Sequence, residues 1–242
     1  MRLRDDSLSR QERITDWVAW HYRNGALDEQ EAEDLRVTIS GCTTEESYIS
    51  TLRSSNRATE CMHLIALGAW ARIGLLIEQG LLIRGIRRGA TGDSCPLLDF
   101  LLTQKNEPGA ESRAFGRYLL RVREWLPGEM SWADFADTFM PVRTPQTVHD
   151  RENLKRHLRA WRNEGRLPNQ SSLRCFAENI ADFVGTEHRS EIRAELIWAS
   201  HLAVAVDRFE AEVPRKLLGK AVGRQRRMIE AWLPVSESTR PR

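Results

Sequence analysis

Residues 131–139 read SWADFADTF, residues 150–165 read DRENLKRHLRAWRNEG, and residues 169–184 read NQSSLRCFAENIADFV. In the first stretch Ser131 is a hydroxyl suited to cap a helix, and Phe135, Ala136 and Phe139 recur one turn apart. In the second, Leu154, Leu158 and Trp161 fall at i, i+4 and i+7, and the run stops at Gly165. Arg166-Leu167-Pro168-Asn169 then reads as a turn. In the third, Leu173, Phe176, Ala177 and Ile180 form one apolar face. Upstream, Phe115, Tyr118, Leu119, Val122 and Trp125 share a face over about 111–126, which Pro127-Gly128 closes. The period is that of a helix throughout, so this region predicts four consecutive helices.

The same period extends outward in both directions. Ile14, Trp17, Val18 and His21 mark a helix over 10–23, stopped near Asn24-Gly25. Asp28 caps a second helix running to about Ile39, and Gly41 ends it. Thr43 or Thr44, followed by Glu46, resembles a capping box for a third. Helices are also expected over about 59–79, 97–102, 188–212 and 215–233. Strand signals are short: Arg36 to Ile39 and Leu81 to Ile83 have no hairpin partner. The expected fold class is therefore all-α, a helical bundle with an embedded helix-turn-helix-like core. The turn-rich segments 88–93 and 106–109 suggest a division into an N-terminal bundle, 1–107, and a C-terminal domain, 108–242. The eight tryptophans occupy helical core spacings and are read as packing residues.

The chain has 242 residues, 41% hydrophobic and 29% charged, which suits globular domains rather than disorder. The net charge is only +2, but its distribution is uneven: residues 1–60 hold 8 Lys/Arg against 12 Asp/Glu, a net −4. The remainder is basic, as a polyanion-binding half would be. Cys42, Cys61, Cys95 and Cys175 are scattered and form no disulfide framework, and no signal peptide is evident at the N-terminus. A reducing, cytoplasmic setting is expected. The most apolar window, Leu64 to Ile83, contains Arg72 and Glu78. An arginine near a bilayer centre costs about 2.5–3.5 kcal/mol, so a buried core helix is expected and no membrane partner.

Residues 113–184 resemble the helix-turn-helix domain of Cro/phage-repressor-type (Xre-like) regulators. Phe135-Ala136 stands where that family has a Leu-Ala pair in a Ser- or Thr-capped short helix. Trp161 and Gly165-Arg166-Leu167-Pro168 stand for its bulky helix end and Gly-basic-x-Pro turn. Ser172-Leu173 and Phe176-Ala177 open the closing helix. One departure is the segment from Met140 to His149, with Pro141 and Pro145, where the family has a turn of a few residues. The resemblance implies double-stranded DNA as partner and 150–164 as the recognition helix. With Leu154, Leu158 and Trp161 inward, the side chains offered to DNA are Arg151, Asn153, Lys155, Arg156, Arg159 and Arg162, with Arg166 in the turn. Arginine pairs bidentately with guanine and asparagine with adenine.

A second basic stretch runs from Arg215 and Lys216 through Lys220 and Arg224 to Arg226 and Arg227. It suits phosphate contacts, an acidic partner, a membrane surface or packing on the chain itself. Two pairs, Arg57 with His63 and Arg151 with His157, fit the loose Arg-x4–6-His pattern of HEPN-type ribonucleases. Cys42, Cys61 and His63 are near one another but at no zinc-site spacing. No phosphate loop, nucleophile elbow or metalloprotease motif is present. The expectation is a non-enzymatic, cofactor-free DNA-binding transcriptional regulator. Its acidic N-terminal half is expected to meet a second copy or a protein partner. The alternatives are a protein-interaction module with a degenerate helix-turn-helix-like fold, and a ribonuclease.

Overall fold

A computed structural model describes residues 9–42, 44–89, 95–103, 113–140, 148–185 and 187–232. These residues are all-α, with no strand among them. The helices are α1 (Arg10–Arg23), α2 (Glu29–Ser40), α3 (Glu45–Ser54), α4 (Asn56–Gly80), α5 (Arg84–Arg88), α6 (Leu97–Leu102), α7 (Ala114–Trp125), α8 (Trp132–Phe139), α9 (Val148–Asn163), α10 (Gln170–Val184), α11 (Arg189–Glu212) and α12 (Arg215–Trp232). They form two compact units, one of residues up to Leu75 together with those from Val213, the other Leu76–Glu212. The division thus falls inside α4 and after α11, rather than at the 107/108 boundary expected from turn composition. The last helix belongs with the first ones.

Local signals explain most of the helix starts in the first unit. Ser9 and Glu12 form a capping box on α1, and Asp28 and Glu31 form one on α2. Thr44 caps α3, but its reciprocal partner is Ser47, not Glu46. Gly25, with φ +67, makes the turn out of α1; a Cβ there would meet the Met228 sulfur at 2.1 Å. Val18, Leu35, Ile39, Leu64, Leu67 and Leu218 are among the fully buried apolar residues of this unit.

What holds α12 to α2 is charge. Glu31 is buried and accepts hydrogen bonds from the Asp28 backbone at 2.9 Å, from Arg224 at 2.6 Å and from Lys220. Arg224 also donates to Asp28 and to the Ala26 carbonyl. Burial pushes the Glu31 carboxyl up, yet its hydrogen bonds from Arg224 and Lys220 outweigh that and hold it below the ordinary glutamate value. Nearby, Arg72 donates to Gln225 and to the Asn24 carbonyl. Of the four settings open to the second basic stretch, the structure shows packing on the chain itself for Lys220 and Arg224.

Helix α4 is long and apolar enough to cross a membrane by length and composition. Its Leu64, Leu67, Ala71 and Leu75 are buried within the protein. Its charged groups are satisfied there too: Glu78 accepts from the Leu98 backbone at 2.7 Å.

The second unit is built around α7, on which α5, α6, α9 and α11 all pack. Ala114 to Leu119 are buried without a break. Short helices leave unsatisfied backbone groups at both ends, and here side chains from other helices supply what local sequence does not. Helices α5, α6 and α7 have no side-chain cap from their own N-cap residues. Instead Glu195 accepts from Ile83 N, Glu78 from Leu98 N, and Asp207 from Ala114 N and Phe115 N at 2.9 and 3.1 Å. At the other ends, Arg117 donates to the Leu101 carbonyl and Arg121 to those of Ile86 and Arg87, and Arg121 also donates to the Cys95 carbonyl ahead of α6. Arg121 also lies over the Phe100 ring, 3.9 Å from its centroid.

Asp207→Ala leaves two buried N–H groups at the start of α7 without an acceptor. The loss expected is about 2 kcal/mol, read as a lower urea midpoint at unchanged slope. A variant within a few tenths of wild type would show that water replaces the carboxylate.

The tryptophans do not all behave as core residues. Trp161 is buried, but Trp20 and Trp198 are 43% and 53% exposed. They lie on α1 and α11, each of which has one face that no described element covers at those positions.

Candidate nucleic-acid interface

Helices α7 to α10 meet in an aromatic cluster. Phe115 packs edge-on against Trp161 with centroids 5.9 Å apart, and Trp161 against Phe176 at 6.1 Å. Phe135 contacts Phe139 at 5.1 Å and Phe176 at 5.9 Å. The rings are offset or perpendicular, as their quadrupoles favour. Residues 135, 139, 154, 158, 161, 173, 176, 177 and 180, the inward positions read from the sequence, are all buried. At Gly116 the backbones of α7 and α9 approach closely enough that a Cβ would stand 2.5 Å from the Arg162 carbonyl oxygen.

With Leu154, Leu158 and Trp161 fixing its inner side, α9 turns a basic face outward. Arg156 and Arg159 are exposed, and Lys155 is half-buried at the edge of that face. Lys155 pairs with Glu152 at 3.3 Å. Arg156 donates to the Asn153 amide oxygen at 2.8 Å, so the acceptor Asn153 would use on adenine is occupied in the free protein. Arg166 is exposed in the turn after Gly165, whose φ of +71 carries the chain out of the helix. Arg162 is different. Its guanidinium lies 3.7 Å from the Trp132 ring centroid, and Arg123 of α7 lies 4.4 Å from the same ring. Arg162 is thus drawn toward α8 instead of standing on the free face. The side chain of Arg151 and residues 141–147, which include Pro141 and Pro145, lie outside the described residues.

Comparison with protein-family models, with curated proteins and with solved structures finds no match to this chain.

The other candidate clusters are placed as follows. Arg57 is bonded to Asp34 at 2.9 Å and paired with Glu60 at 3.5 Å, and His63 is half-buried farther along the same helix. His157 is exposed on α9. The Cys61 thiol is buried and donates to the Glu31 carbonyl at 3.6 Å; burial pushes it up to about 11, so it is a thiol at neutral pH. The Cys42 sulfur lies 3.4 Å from the Thr51 hydroxyl. Both cysteines are engaged in structural contacts.

The Trp132 platform is the feature that sequence spacing does not reveal. Trp132, Arg123 and Arg162 come from three helices, and no local period links them. The one local hint is a half-buried tryptophan at the first position of a capped helix.

Proposed function

We propose that α9 and the turn after it form the DNA-reading surface of a regulator of the helix-turn-helix kind. The observation that supports this best is the two-sidedness of α9. Its apolar side is locked into the aromatic cluster, while Arg156 and Arg159 project from the opposite side. Segment 150–166 has six basic and three acidic residues. An amphipathic helix held from behind is the form in which a recognition helix enters a major groove, which admits one α-helix. Arg156 and Arg159 are the residues placed to reach bases or phosphates, Lys155 and Arg166 to contact phosphate, and the Arg162–Trp132 stack to hold the end of the helix.

Binding of this kind displaces counterions, so affinity should fall steeply with salt. Arg156→Glu with Arg159→Glu is expected to weaken binding to genomic DNA fragments roughly a hundredfold and to flatten the salt slope by about two contacts. Both side chains are exposed, so the circular dichroism spectrum should not change. Retained affinity in a folded double variant would remove α9 from the interface.

A further inference from the structure

A groove of about 720 Å³ runs between α1 and α2. Thr15, Val18, Ala19 and Tyr22 line one wall at i, i+3, i+4 and i+7, so a continuous stripe of α1 faces it. Ala32 forms the apolar part of the other wall, flanked by Glu29, Glu33 and Arg36. Tyr22 is 46% exposed although its neighbour in the stripe, Val18, is buried. On its other sides α2 packs against α3 and α12, whereas among the described residues this seam is lined by α1, α2 and the turn between them alone. The element that fits such a seam is a helix with one apolar face.

Charge decides which helix. Among the described residues that line the groove Arg36 is the one cation, and it is already bonded to Glu33 at 2.8 Å; Asp28, at one end of the lining, is engaged from outside the groove by Lys220 and Arg224. Glu29, in the first turn of α2, has no such partner among them, and Glu33 is half exposed with acceptor capacity to spare. The described lining therefore offers acceptors and no unengaged cation. A second copy of the chain would bring the same Glu29 and Glu33 to the seam, carboxylate against carboxylate. We infer that the α1–α2 groove docks an amphipathic helix of another protein whose apolar face is flanked by lysine or arginine. This inference is independent of the role assigned to α9.

The test uses the full chain and no DNA, so it fails or succeeds separately from that role. The probes are fluorescent synthetic peptides of about five helical turns: an amphipathic Leu/Lys helix, its Leu/Glu counterpart, and a Leu/Lys peptide of the same composition with the helical period scrambled. Anisotropy should show saturable one-to-one binding of the first alone. Glu29→Lys with Glu33→Lys should weaken it roughly tenfold or more, and Tyr22→Ala should weaken it through the apolar wall. Glu212→Lys, a reversal at the exposed last residue of α11, should leave it unchanged. Equal binding of the Leu/Glu or scrambled peptide overturns the inference, as does unaltered affinity in both groove variants. Light scattering that finds a dimer of the free chain, lost on the Glu29/Glu33 reversal, would give the groove to a second copy and overturn it as well.

Discussion

Glu31→Ala is expected to destabilise the protein by about 3–5 kcal/mol at neutral pH, the usual consequence of stripping one partner from a buried ionic cluster. The Glu31 side chain is 1% exposed and receives Arg224, Lys220 and the Asp28 N–H. Removing it leaves Arg224, itself only 11% exposed, with the half-exposed Asp28 as its remaining carboxylate among the described residues. The helix N-terminus also loses half of its capping box. Replacing Glu31, Lys220 and Arg224 together by apolar residues of similar size should cost less than Glu31→Ala alone, because no ion is then left unpaired.

The pH dependence follows from the same carboxylate. Glu31 is held below its ordinary value in the folded protein, so its contribution is fully present above the unfolded glutamate value. It is lost as pH falls through the folded one. Urea titrations at several pH values should show stability dropping on the acid side in wild type and dropping less in Glu31→Gln. A Glu31→Ala loss under about 1 kcal/mol, the range of exposed pairs, would mean that the cluster is solvated and that α12 is held by its apolar face.

Phe135→Ala is expected to cost about 3–5 kcal/mol, as is typical for a fully buried aromatic side chain. Phe135 is 0% exposed and touches Trp132, Phe139 and Phe176. It is the main anchor of α8, a helix of only 8 residues that could not persist alone. Phe176→Ala should be similarly severe, and the double variant less so than the sum, because the two rings share one contact. Thermal unfolding of the single and double variants measures that coupling. Trp132→Ala, at a half-exposed ring, should cost less but release Arg162 from α8. If Phe135→Ala melts within a degree or two of wild type, α8 does not depend on the aromatic cluster.

The helices themselves were largely legible in the sequence, because their causes are local. Capping side chains at Asp28 and Ser131, the stop at Gly165, and the apolar stripes of 154, 158 and 161 and of 173, 176, 177 and 180 all lie within one or two turns of what they decide. The inward and outward sides of α9 follow from the same period, which is why Arg156 and Arg159 stand exposed where the spacing puts them. The short helix α5 was not legible. Its sequence, RGIRR, has no apolar stripe and no cap; it exists because Glu195 and Arg121 close its two ends.

The sequence by itself determined the helical elements, their approximate bounds and the faces they bury. Only the tertiary structure decided how they group and what the charges do. Arg224 and Asp28 are 196 residues apart, and no periodic pattern could pair them. Arg117 and Arg121 sit inside a largely buried helix because they serve the open carbonyls of helices that precede it. Arg162 leaves the basic face for Trp132. Periodicity is a property of one chain segment against an average interior, whereas a buried charge is tolerated only where particular groups from distant segments converge on it.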